Sequence, residues 1–286
     1  MLVLALDSSA TASVALACID SDAPGASAEI LASYESEDTR SHAEVMAPYA
    51  AQVLADTGLD GAAVDAVLTG TGPGPFTGLR AGIMTARTLG FAWNKPVYGL
   101  MSLTAIVERA FADGAFRDSL TAANNGMNRA AHETLVASDA RRREIYCALF
   151  AVTENGYSLA SGPSVGPAHQ THAPAYDPSD LAAPALGYGA GLYTEALTAS
   201  GWDVLKDYAQ LHPTAADLVK AAARCGVKNL SRDTQALYLR ESDAKVPAAL
   251  LARTTSAQPP HGQQNTGEPQ KTRGQQPAPA APAREQ

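Results

Sequence analysis

Among the 286 residues, no apolar run approaches the roughly eighteen that a membrane-spanning helix requires. The first apolar stretch is broken by Asp7 and has no basic residues before it, so it does not read as a secretory leader. Cysteine is scarce. Cys18, Cys147 and Cys225 are far apart, which fits buried thiols in a reducing, cytoplasmic setting and not a disulfide framework. Positive charge is in the minority, 21 Lys and Arg against 29 Asp and Glu, for a formal net charge of −8. A field of that sign repels polyanions at long range, so a stand-alone nucleic-acid binder is disfavoured, while a local basic patch stays open. Also missing are an HExxH helix, a cysteine pair and a nucleophile elbow. His169 and His172 are three apart, in a stretch with no regular period and no acidic or cysteine partner. No metal and no cofactor is expected.

What is present suffices for one large or two small cores, with 46% hydrophobic and 17% charged residues. Residues 2–6 form a continuous apolar run suited to a central strand, and 14–19 and 29–34 read as two more with tight links. Ser41 and Glu44 form the serine-x-x-glutamate signature of a helix start, with His42 in the first turn of a helix over 42–57 and Gly58 ending it. A strand at 64–70, a helix at 79–93, a strand at 96–99 and a helix at 102–111 follow. Three strands, helix, strand, helix, strand, helix is the order of a ribonuclease H-like layer, the repeating half of the actin, hexokinase and Hsp70 architecture. Residues 117–133 are polar and contain Asn124, Asn125 and Gly126, so they read as a surface excursion. The expected organisation is an N-terminal ribonuclease H-like domain over 1–112, a surface insertion over 113–133 and a smaller α/β domain over 134–253. Within the last, strands fall near 135–139, 143–152 and 157–161, and a helix starts at Pro213 and stops at Gly226. Residues 254–286, rich in Pro, Gln and Ala, have almost no large apolar side chain and are expected to form a disordered tail.

The densest cluster of constrained residues is GTGPGPFTGLRAG at 70–82. Its glycines permit close backbone approach and Pro73 and Pro75 stiffen it. Thr77 is placed to cap the following helix, whose free amides would attract an anion. The lysine and Ser/Thr of a P-loop are missing, and no acid follows a second strand as in a dinucleotide fold. Two readings stay open: a phosphate holder, with Asp7, Ser8 and Ser9 at the end of the first strand and Gly72, Gly74, Thr77 and Gly78 in the loop, or a rigid knuckle that positions the next helix.

Taken in order, five segments resemble the TsaB (YeaZ) family: LALDSSATASVAL at 4–16, SHAE at 41–44, the 70–82 loop, SDARRREIYCALF at 138–150 and YLRE at 238–241. The resemblance implies an actin/hexokinase/Hsp70-like duplicated ribonuclease H-like fold with a reduced second half, similar to the catalytic protein TsaD. TsaD-like proteins keep two metal-holding histidines in the helix after the fifth strand. The equivalent stretch here, 99–112, has no histidine, so the implied state is a non-catalytic subunit. The implied partners are TsaD and the ATPase TsaE, in the complex that places threonylcarbamoyl on N6 of adenosine 37 in tRNAs reading codons that start with A. The chain would meet tRNA only through that complex, and a second copy of it would replace TsaD when TsaD is absent. The competing expectation is an independent phosphotransferase or hydrolase using Asp7 and the 70–82 loop, with LGYGAG at 186–191 as a candidate adenosine loop.

The helices near 42–57 and 79–93 are more apolar than one buried face requires. The expected docking patch comprises Ala43, Met46, Ala47, Ala50 and Ala51 on the first, and Ile83, Met84, Ala86 and Leu89, with Phe91, on the second. Three features depart from the family pattern: Pro75 where serine is usual, the stretch 117–133, and the basic run Arg141–Arg143, where a hydrophobic residue and a glycine are common.

Overall fold

A computed structural model describes residues 1–36, 42–123, 131–173 and 182–240. The tail over 254–286 and the capping serine, Ser41, lie outside the described residues. Strand β1 (Leu2–Asp7) is central in a five-stranded sheet of order β3-β2-β1-β4-β5. It pairs antiparallel with β2 (Ser13–Ile19), which pairs antiparallel with β3 (Ala28–Glu35). On its other side it runs parallel to β4 (Ala66–Gly70), and β4 runs parallel to β5 (Val97–Leu100). The continuous apolar character of β1 follows from cover on both faces. Val3 and Ala5 pack toward helix α7 (Ala215–Cys225), while Leu4 and Leu6 pack toward α1 (His42–Thr57) and α2 (Phe76–Trp93). The edge strand β3 alternates half-buried and exposed residues along its length.

A second sheet, of order β10-β9-β6-β7-β8, repeats this plan. Strand β6 (His132–Asp139) is central, β7 (Glu144–Val152) and β8 (Tyr157–Pro167) form an antiparallel meander on one side, and β9 (Ala183–Leu186) and β10 (Trp202–Val204) run parallel on the other. The duplicated ribonuclease H-like order is thus present twice. The second copy is reduced. Where α1 links β3 to β4, the link from β8 to β9 carries among the described residues only a 3₁₀ turn at Ala168–Gln170, and the short α5 (Tyr188–Leu192) and α6 (Thr194–Ala199) stand where α2 stands in the first copy. Helix α3 (Leu103–Ala112) packs on the second sheet and against α7, so these two helices lie between the sheets.

Two expectations are corrected. The stretch 113–133 is not wholly a surface excursion. Helix α4 (Gly114–Ala123) occupies its first half, and Phe116 and Leu120 are buried in the core shared with α3, β6 and β7. Their spacing of four residues puts both on one helical face. Helix α2 begins at Phe76, directly after Pro75, which supplies a fixed φ of −61° at the cap position. Thr77 therefore lies inside the first turn and caps nothing. By contrast Thr214, after Pro213, caps α7 by accepting a hydrogen bond from the Asp217 amide at 3.1 Å, and Gly226 ends that helix at φ 80°.

Candidate protein interface

Helices α1 and α2 pack side by side on one face of the first sheet. On α1 the positions facing the sheet are Met46, Ala50, Val53 and Leu54, and on α2 Leu79, Ile83 and Ala86 are buried. Four of the nine residues expected in a docking patch, Met46, Ala50, Ile83 and Ala86, therefore belong to the protein's own core; Ala50 is only 2% exposed. Leu89 packs against the edge of the same core, and the remaining four are exposed. Ala43, Ala47 and Ala51, four residues apart, make an exposed stripe of methyl groups on α1. On α2, Leu89 is half-buried, Met84 is 54% exposed and Phe91 is 90% exposed. The phenyl ring and the stripe of alanines are apolar surface that no element among the described residues covers.

Polar groups sit at the rim of this surface. Tyr34 donates to the Asp56 carboxylate at 2.6 Å and Gln52 donates to the same carboxylate at 2.7 Å, and these two bonds hold the Asp56 carboxyl below its ordinary range. On the other flank the segment 231–240 runs along the first sheet and α2. Gly99 donates its amide to Ser231 at 2.9 Å, and Leu237 donates its amide to Thr71 at 2.8 Å. The two α2 arginines are tied to this strap: Arg87 donates to the Thr234 hydroxyl at 2.6 Å and Arg80 to the Tyr238 hydroxyl at 3.0 Å. Tyr238 also stacks on Phe76, with centroids 4.6 Å apart.

The structure brings Asp7, Ser8 and Ser9 against the 70–82 loop, but in direct contact. The Asp7 carboxylate accepts from the Ser9 amide at 2.8 Å and the Ser9 hydroxyl at 2.6 Å. Ser8 donates its hydroxyl to Gly78 at 2.7 Å and accepts from the Gly82 amide at 3.0 Å. The Gly72 amide goes to the Ser102 hydroxyl at 3.0 Å and the Thr71 amide to Leu100 at 2.9 Å. The Ser9, Thr71, Gly72 and Gly82 amides and the Ser8 and Ser9 hydroxyls are thus committed internally. At Gly70 even a Cβ would overlap the Asp7 carboxylate, and at Gly74 it would come within 2.5 Å of the Ser9 carbonyl. Thr77 is exposed, away from this contact. The 186–191 segment is likewise engaged, since the Gly187 amide donates to Tyr208 at 2.9 Å and the Tyr188 amide to Leu211 at 2.8 Å.

One buried polar site escaped the sequence. Glu108, in the middle of α3 and 2% exposed, receives two bonds from the Arg224 guanidinium of α7, at 2.7 and 2.8 Å, and one from the Tyr157 hydroxyl of β8, at 2.6 Å. Burial, with the Glu108 charge beside it, pushes the Tyr157 phenol well above its ordinary value, and the bonds to Glu108 raise Arg224 further. The available signal was a glutamate inside the apolar run 103–111, where a charge survives only with a partner.

Known proteins give the same fold and extend it. A family model described as TsaD, tRNA N6-adenosine threonylcarbamoyltransferase, matches residues 29–176. An uncharacterised protein of Mycobacterium leprae is 34% identical over 244 residues, covering 85% of this chain and 56% of the relative. The Haemophilus influenzae tRNA threonylcarbamoyladenosine biosynthesis protein TsaB is 36% identical over 107 residues, covering 37% of this chain and 39% of the relative. The chain thus spans about half the length of the curated relatives it matches. The solved structure of YeaZ from Pseudomonas aeruginosa superposes with a TM-score of 0.62 at 27% identity, over 83% of this chain and 99% of that one. Two ribonuclease H-like layers of matching strand order define an actin-like α/β protein. Within that class the chain belongs to the TsaB (YeaZ) branch of the TsaD family.

Proposed function

We propose that this chain is a non-catalytic subunit of the complex that places threonylcarbamoyl on N6 of adenosine 37 in tRNAs reading codons that start with A. Its task is to dock TsaD through α1 and α2, with the ATPase TsaE joining the assembly in the cytoplasm. The observation that carries the reading is the exposed apolar side chains of Ala43, Ala47, Ala51, Met84 and Phe91 on α1 and α2, which no element among the described residues covers. Small side chains let a partner helix approach closely and methionine adapts to imperfect fit. Two further observations support a subunit without chemistry of its own. Helix α3 carries no histidine, and within the 70–82 loop the Gly72 and Gly82 amides are used on Ser102 and Ser8. A second copy of the chain would use the same face when TsaD is absent.

The test replaces Ala47, an exposed position, with arginine. The Ala47→Arg chain is expected to keep its melting temperature, fail to co-elute with TsaD, and lose adenosine 37 modification in a reconstituted reaction. Unchanged co-elution would place the interface elsewhere. ATP turnover by the purified chain that Asp7→Asn abolishes would instead support an independent phosphotransferase.

A further inference from the structure

Between α2 and the strap over 231–240 lies a groove of about 320 Å³, with Ile83 and Met84 on one wall and Ala236 and Tyr238 on the other. Arg80 and Arg87 line the same groove. Along α2 the residues Arg80, Ile83, Met84 and Arg87 fall at i, i+3, i+4 and i+7, so they share one helical face, two apolar side chains flanked by guanidinium groups. The two arginines stand about 10.5 Å apart along the helix axis. Each is aimed by the strap through its Nε alone: Arg87 donates it to the Thr234 hydroxyl and Arg80 to the Tyr238 hydroxyl. The Arg80 guanidinium also lies 5.8 Å from the centre of the Tyr238 ring. Both acceptors are neutral, and among the described residues no carboxylate pairs with either arginine. Arg109, Arg141, Arg224 and Arg240, by contrast, each pair with an aspartate or glutamate.

The chain carries 29 acidic against 21 basic residues, so two oriented guanidiniums without an acid are groups left for a partner. A bond at Nε fixes the direction of the fork and leaves the terminal nitrogens, which grip a carboxylate in two parallel bonds. The apolar wall between the arginines decides the class of partner. A phosphodiester chain brings nothing apolar to Met84, which is 54% exposed, and the net charge of −8 repels it at long range. An amphipathic helix brings both, apolar side chains on its inner face and carboxylates a turn to either side. We propose that this groove takes an acidic amphipathic helix of the partner protein, with two carboxylates about two turns apart, one on Arg80 and one on Arg87. An apolar side chain between them seats on Met84. The groove extends the docking face past α2 to the strap, and it rests on the function proposed above only for the identity of the partner, TsaD.

The test measures the affinity of the full chain for TsaD at low and at high salt, for wild type, the double variant Arg80→Gln and Arg87→Gln, and the double variant Arg80→Lys and Arg87→Lys. The glutamine variant is expected to bind about 10- to 100-fold more weakly at low salt and to lose most of the salt dependence, since interfacial charge pairs supply both. The lysine variant should keep the salt dependence. A glutamine variant that retains its circular dichroism spectrum and binds TsaD with wild-type affinity and salt dependence would overturn the proposal. A second arm does not involve TsaD: a crosslinked helical peptide, with Glu at two positions seven apart and Leu between them, is compared with its Gln counterpart on the wild-type chain. The Glu peptide should bind at least about fivefold more tightly, and equal binding overturns the proposal. A wild-type chain that fails to co-elute with TsaD refutes the docking reading alone, and the groove is then judged on the peptide pair. A glutamine variant that keeps TsaD but loses a tRNA transcript retained by wild type would assign the arginines to a polyanion and overturn the proposal as well.

Discussion

Helices α3 and α7 lie between the two sheets, whereas α1 and α2 lie outside the first, and the two pairs are finished in opposite ways. The inner pair meets across a charged seam: Glu108 holds Arg224 and Tyr157, and Asp217 of α7 approaches Arg109 of α3 at 3.8 Å. The outer pair meets over Met46, Ala50 and Ala86, and beyond that line presents alanines, Met84 and Phe91 to water. An ion pair with three directed hydrogen bonds accepts one geometry and fixes the two layers to each other. A stripe of methyl groups makes no such demand and gains from any close-fitting apolar partner. The fold spends its polar specificity on holding itself together and leaves its adaptable surface free.

The sharpest way to break this contrast lies within α1, where Ala47 and Ala50 are neighbours less than one turn apart, yet Ala47 is exposed and Ala50 is buried at the edge of the core-facing side. Ala50→Arg forces a charged side chain into a closed core and is expected to cost more than about 4 kcal/mol, so the variant should not fold stably. Ala47→Arg should stay within about 0.5 kcal/mol of wild type. Urea unfolding of both variants measures the gap, and equal stabilities would mean that α1 is rotated from the face described.

The seam is probed next. Glu108→Ala removes the acceptor of three hydrogen bonds and leaves Arg224 uncompensated. Loss of one partner of a fully buried pair costs about 3–5 kcal/mol, but the Arg224 side chain is 32% exposed, so about 2–3 kcal/mol is expected. The docking of TsaD proposed for the α1–α2 face should persist, as read by co-elution below the unfolding temperature. A neutral Glu108→Ala would show that the seam contributes register and not stability.

The smallest effect concerns His212, which stacks on Tyr188 at 4.4 Å and lines a cavity of about 320 Å³ with Glu35, Arg109 and Asp217. Burial lowers its pKa from the ordinary 6.5, with Glu35 and Asp139 opposing. The unfolded chain therefore takes up the proton first as pH falls, so the contribution of His212 to stability is present above about pH 6.5 and is lost below it. The melting temperature should drop slightly more between pH 7.5 and 5.5 in the wild type than in His212→Gln. Parallel curves would mean that the imidazole is solvated.

Much of the first copy was legible because its signals are local. The apolar run at 2–6 became β1, and the helix at 42–57 and the strands near 14–19 and 29–34 appear within a residue or so of their expected ends. Long-range relations were not legible. Nothing adjacent to Glu108 announces Arg224, 116 residues away. The docking list mixed core and surface because alanine and methionine serve both, and only the rotation of α1 against the sheet separates Ala47 from Ala50. Helix α4 was hidden by the asparagines that follow it, although Phe116 and Leu120 carry a helical spacing. The 70–82 loop showed its glycines but not their purpose, since close approach to a ligand and close approach to Ser8 and Asp7 ask for the same residue.

That last contact limits the routes by which descendants of this chain could acquire phosphate chemistry. A crowded pocket lined by large side chains can be opened by trimming one of them. Here the crowding at Gly74 is against the Ser9 backbone, at a residue that already has nothing to trim. Any substitution at Gly74 adds volume against that backbone, so space at this point could be gained only by moving the loop, with the start of α2 attached to it. Such a move would shift Met84 and Phe91 as well. At Gly74, therefore, substitution of the glycine opens no space, and the contact ties the shape of the loop to the position of the helix that follows it.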